Sequence, residues 1–95
     1  TKLGSKIPAM LIIETFSVAS AIKAADCAVK EADLDLIRVH VAMAVGGKGI
    51  VVMTGEIAAL EAAVQPAVEA VRQDGMLAGY VLIKNPHEDV LRDLI

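Results

Sequence analysis

The stretch IETFSVASAIKAADCAVKEADLDL, residues 13–36, decides how the rest of the chain is read. Ile13 and Glu14 end a continuous apolar run, Ala9–Glu14, whose β-branched Ile12 and Ile13 predict a central strand. Thr15 or Ser17 can cap the segment that follows by accepting a backbone N–H in its first turn. From Ser17 to Lys30, Val18, Ile22, Ala25 and Val29 recur at helical spacing, while Lys23, Asp26 and Lys30 share another face suited to a small ion-pair ladder. The stretch then turns into a second strand.

Downstream, Leu34–Val45 alternates. Ile37, Val39, Val41, Met43 and Val45 face one way, and Leu36, Arg38, His40, Ala42 and Ala44 the other, which predicts a long strand with one greasy face and one mixed face. Val45-Gly46-Gly47-Lys48-Gly49 is a glycine-rich turn into a second apolar strand, Ile50–Thr54, so the two form a hairpin. Gly55-Glu56 opens a second helix with an acidic residue in its first turn and a core stripe of Ile57, Leu60, Val64, Ala67, Val68 and Val71. Pro66 lies inside that helix and predicts a kink or break near Ala62–Gln65. Asp74-Gly75 stops it, Leu77–Lys84 is a fourth strand, and after the Asn85-Pro86 turn His87–Ile95 can form a short last helix. The order β-α-β-β-α-β plus a terminal helix is an α+β, ferredoxin-like split βαβ sandwich, with two helices on one face of an antiparallel sheet.

Composition bounds what such a domain can do. Ninety-five residues suffice for one core. More than half are apolar, yet there is one Tyr, one Phe and no Trp, so the core is built from Ala, Val, Ile and Leu and backbones can approach closely. A domain this small and this apolar leaves hydrophobic surface uncovered, which predicts an oligomer. The net charge of −3 and the absence of a basic cluster argue against nucleic-acid binding. The apolar runs are too short to span a bilayer, and no signal peptide precedes them. A single cysteine cannot form an internal disulfide, which fits a reducing cytosol. Thr1–Pro8, TKLGSKIP, has the composition of a linker or arm.

Ile13-Glu14-Thr15, Ala25-Asp26-Cys27-Ala28-Val29-Lys30, the hairpin Val45–Gly49, Thr54-Gly55-Glu56-Ile57 and Ile83-Lys84-Asn85-Pro86-His87 occur in the order and spacing of one family. From about Ala9 to Ile95 the chain resembles a bacterial microcompartment shell domain, a non-enzymatic unit of hexagonal tiles. Within that family it is most similar to the second domain of the tandem-domain, trimer-forming shell proteins of propanediol-utilisation-type compartments. The resemblance implies a cytoplasmic shell protein that assembles with itself, as a homohexamer or as a pseudo-hexameric trimer of a tandem chain, alongside other shell proteins and encapsulated enzymes. Thr1–Pro8 would then be the tail of an inter-domain linker. The resemblance also makes Val45, Gly46, Gly47, Lys48 and Gly49 the pore loop, and places Lys30, Asn85, Pro86 and His87 at contacts between tiles. Tandem relatives carry an iron–sulfur cluster at the pore, held by a loop Cys of the first domain. The loop here has none, so no cofactor is expected in this chain and a cluster would need a Cys outside this sequence. The family's corner Arg is Asn85 here, the Pro before it is Lys84, and Pro66 replaces an alanine-rich run.

The residues themselves leave room for other readings. The glycine run is equally a hairpin needing positive φ. Lys48 either adds charge near a channel mouth or is solvated. Lys30 could be an exposed helix-end lysine favoured by the dipole. His40 and His87 lie in no metal-ligand spacing, and Cys27 has no base partner in reach. Glu14, Arg38 and His40 are expected at a subunit interface. No catalytic set is readable. The alternative function is a small-molecule-binding regulatory domain of the same fold, with ligand held between subunits.

Overall fold

The computed structural model describes residues 8–32 and 35–84. Four strands, β1 (Pro8–Thr15), β2 (Ile37–Met43), β3 (Gly49–Glu56) and β4 (Leu77–Lys84), and two helices, α1 (Val18–Glu31) and α2 (Ile57–Gln73), follow in the expected order. The sheet runs β2-β3-β1-β4, every neighbouring pair antiparallel. Both helices lie on one face, confirming the α+β ferredoxin-like architecture. Pro8, assigned by composition to the arm, is instead the first residue of β1, where a missing N–H is tolerated. The expected terminal helix, His87–Ile95, lies outside the described residues.

Strand periodicity sorts the faces. Ala9, Leu11, Ile13 and Thr15 point under the helices and are buried, with Met53 and Val51 beside them on β3. α2 buries Ile57, Leu60, Ala67, Val68 and Val71 of the stripe its sequence predicts, with Val64 half-buried, and adds Ala59 and Ala63. It also runs continuously through Pro66, so of the expected kink or break the break does not occur. The carbonyl that proline deprives of a donor belongs to Ala62, on the exposed side, where water can satisfy it. Glu56 is the N-cap of α2, without a side-chain capping bond, rather than a first-turn residue. At the far end the Met76 amide donates to the Val71 carbonyl (2.9 Å) and Gly75 takes positive φ, closing the helix as the Asp74-Gly75 pair predicts.

α1 departs most from its sequence pattern. Its core face is Ala21, Ala24, Ala25 and Ala28, whereas Ile22 is 56% exposed and Val18 and Val29 are half-buried on the flank. The cause is close approach: a Cβ added at Gly49 of β3 would stand 2.6 Å from the Ala21 Cβ and 2.7 Å from the Ser17 carbonyl oxygen. Only small side chains fit at that distance. Ser17 is the N-cap, its hydroxyl accepting from the Ser20 amide at 3.1 Å. Ser17→Ala should therefore cost about 1 kcal/mol in a urea melt. The Thr15 hydroxyl, fully buried, donates to the Ser17 carbonyl at 2.6 Å and locks the strand-to-helix corner.

The expected ladder on α1 forms only in part. Lys30 pairs with Asp26 at 3.1 Å, but Lys23 reaches Asp74 at the end of α2, at 2.6 Å. The hydrogen bond that the Lys23 ammonium donates to Asp74, and then the charge of that carboxylate, raise the ammonium above its ordinary 10.5. Because the folded-state pKa is the higher one, the pair's contribution is complete below pH 10.5 and is lost as pH rises through the folded value. Asp74→Asn should accordingly flatten the fall in urea midpoint between about pH 9 and about pH 12.

Candidate functional site

The β2–β3 hairpin projects from one end of the sandwich. β2 is shorter than its alternating pattern suggests: it ends at Met43, and Val45–Gly47 form a single tight helical turn. Gly46 and Gly47 take φ +79° and +82°, and nothing lies within 4 Å of where their side chains would be. The Ala44 amide closes the loop by donating to the Lys48 carbonyl at 2.6 Å. The tip is therefore bare backbone, able to present N–H groups to a small polar or anionic solute. The Lys48 ammonium lies over the Phe16 ring, 5.9 Å from the centroid, which ties the loop to the β1–α1 corner.

The greasy row of β2 emerges progressively from beneath α1. Ile37 is buried, Val39 half-buried, Val41 40% exposed, Met43 74% and Val45, in the loop, 94%. The α1 flank bearing Val18, Ile22 and Val29 lies on the side away from α2. The direction follows because Lys23, which reaches the end of α2, projects from the opposite flank at 100° per residue. An uncovered apolar band thus borders the loop.

On the face of the sheet opposite the helices, strand register aligns Arg38, Thr54, Met10 and Ile83 in one row, His40, Val52, Ile12 and Val81 in the next, and Ala42, Ile50, Glu14 and Gly79 in the third. Glu14, Arg38 and His40 therefore share this face, Glu14 half-buried and the other two exposed. Lys30 stands exposed in the last turn of α1, its pKa raised by the hydrogen bond and charge of Asp26. Asn85, Pro86 and His87 lie outside the described residues. Cys27 is half-buried on α1. It is six residues beyond Ala21, roughly 9 Å along the helix from the point that packs against Gly49. The cysteine therefore belongs to α1 and not to the loop. Among the described residues, no three His, Cys, Asp or Glu side chains gather as metal ligands, and no helix is long and apolar enough to cross a membrane.

A ferredoxin-like sandwich whose β2–β3 hairpin ends in an exposed diglycine tip, flanked by an uncovered apolar band, defines the class. The BMC domain family model matches residues 9–86, and the chain belongs to that family. It is 40% identical over 90 residues to the bacterial microcompartment shell protein PduT of Citrobacter freundii, covering 95% of this chain and 49% of that protein. It superposes on a microcompartment protein of Desulfitobacterium hafniense DCB with a TM-score of 0.75 at 39% identity, covering 90% of this chain and 48% of that one. The chain spans about half the length of both relatives.

Proposed function

We propose that this chain is a structural element of a bacterial microcompartment shell, assembling around an axis into a six-fold or pseudo-six-fold tile. The observation that carries this reading is the uncovered apolar band of β2 and α1 beside the loop, in a domain whose relative PduT is named a shell protein. A second copy packed against the band removes Val41, Met43 and Ile22 from water and brings the Val45–Gly49 loops toward the axis as a pore for metabolites. Residues 8–95 act as one shell domain, with 1–7 leading into it. The six positions of the tile are filled by six copies, or by three copies each carrying a second domain. Other shell proteins and encapsulated enzymes complete the assembly, in the cytoplasm.

The role is architectural: His40, Cys27 and Glu14 lie on separate strands and helix, without a shared site. An iron–sulfur cluster at the pore would take its thiolates from outside this sequence. Contacts between tiles are assigned to Lys30, whose ammonium has three donors on a long stem, and to Asn85, Pro86 and His87. Lys30→Ala should leave the particle mass unchanged while abolishing sheets in negative-stain micrographs. Sheets that persist in Lys30→Ala would remove Lys30 from that contact, and loss of the particle itself would place it inside the tile.

A further inference from the structure

Three residues are buried on a sheet face that no described element covers. Met10, Val52 and Thr54 alternate with the helix-facing residues of β1 and β3 and stand outside the core beneath the helices. Yet Met10 is 0% exposed, and Val52 and Thr54 are each 8%. Neighbours within an open sheet shield one another only sideways, so something lies over these three. The exposures belong to a single copy, and the cover therefore comes from the chain itself. It is thickest at one end of the face. Thr54 and Met10 are closed off in the row of Arg38 and Ile83, Ile12 is half-buried in the next row, and Ile50 and Glu14 are half-buried in the third.

β4 leaves the sheet at the covered end, where Ile83 pairs with Met10 and Lys84 with Ala9. Residues 88–95 read EDVLRDLI. At helical spacing Val90, Leu91, Leu94 and Ile95 share one side, and Glu88, Asp89, Arg92 and Asp93 the other. Eight helical residues extend about 12 Å. That nearly matches the about 14 Å from β4 across β1 and β3 to β2. At β2 the exposed Arg38 has no ion-pair partner among the described residues, and this segment carries three carboxylates against one arginine. Residues 1–7, TKLGSKI, enter at the same end but offer only Leu3 and Ile7 as large apolar side chains, and bring two more lysines toward Arg38. Residues 33–34 reach at most about 7 Å, short of the about 10 Å from β2 to β1. We infer that residues 88–95 fold back over the helix-free face as an amphipathic helix, with Val90, Leu91, Leu94 and Ile95 seated on Met10, Val52 and Thr54. A partner approaching that face then meets Glu88, Asp89 and Asp93 in place of the apolar sheet. The contact forms within one copy and does not depend on how copies pack.

The test uses the full chain in a Cys27→Ser background, which removes its single native thiol. Thr54→Cys paired with Leu91→Cys or with Leu94→Cys should oxidise to a disulfide within one copy, at least tenfold faster than Thr54→Cys paired with Asp89→Cys or with Leu3→Cys. Thr54→Cys alone should react slowly with a maleimide, and adding Leu94→Asp should speed that reaction at least tenfold. Equal cross-linking to Asp89→Cys would overturn the proposal, because the apolar side would then not be the one seated. Faster cross-linking to Leu3→Cys would assign the cover to residues 1–7, and a disulfide formed only between copies would assign it to a second copy; either result also overturns it. So would a maleimide rate unchanged by Leu94→Asp.

Discussion

Met43→Asp should give a folded domain that no longer assembles. Met43 ends β2 opposite Gly49 and is 74% exposed, so its loss removes almost no core packing. A surface substitution of this kind changes stability by about 0.5 kcal/mol or less. In an assembled tile the same position sits in an apolar contact between copies. A carboxylate there must shed its water without a partner, a cost of several kcal/mol. Loss of at least about 2 kcal/mol per contact, some thirtyfold in association, is the scale of an interface hot spot, and a ring multiplies it around the axis. Sizing with light scattering, alongside a circular-dichroism melt, reads both quantities. A Met43→Asp protein that keeps its particle mass would place the interface elsewhere.

Gly49→Ala should damage the fold itself. The new Cβ would lie 2.6 Å from the Ala21 Cβ, 2.7 Å from the Ser17 carbonyl oxygen and 2.9 Å from the Thr15 hydroxyl. None of these is the far end of a flexible side chain, so α1 must lift from β3 and the Thr15–Ser17 lock must open. Overpacking of this kind costs about 3 kcal/mol. In a domain of this size that lowers Tm by roughly 15 °C. Gly46→Ala, three residues earlier, meets nothing within 4 Å and pays only for its left-handed backbone, about 1 kcal/mol. Equal melting points for the two variants would contradict the close approach of α1.

The contrast between those two glycines marks where reading the sequence succeeds and where it stops. Periodicity located all four strands and both helices, the stripe of α2 and the span Leu77–Lys84, because each depends on neighbours within a few residues. It failed on the inward face of α1. Hydropathy favours Val18, Ile22 and Val29 over Ala21, Ala24 and Ala28, but the helix-to-sheet distance that admits only alanine is set by Gly49, far along the chain. Lys23 shows the same limit: its partner is Asp74, not the nearer Asp26. Alternation alone placed Arg38 and His40 on one face of β2, whereas Glu14 joins that face only through the β1–β3 and β2–β3 register. The pairing of Arg38 with Thr54 was not seen, since it needs the β2–β3 register, which only the tertiary structure supplies. The contact of Lys48 with Phe16, 32 positions earlier in the sequence, was likewise out of reach of local pattern.

The most direct test of the tile is the native mass of the particle, by light scattering behind a sizing column. The account predicts a mass near six copies of the 9.9 kDa chain, or a particle of six domain positions once a second BMC domain is supplied. A chain that stays monomeric or dimeric both alone and with that second domain present would contradict it.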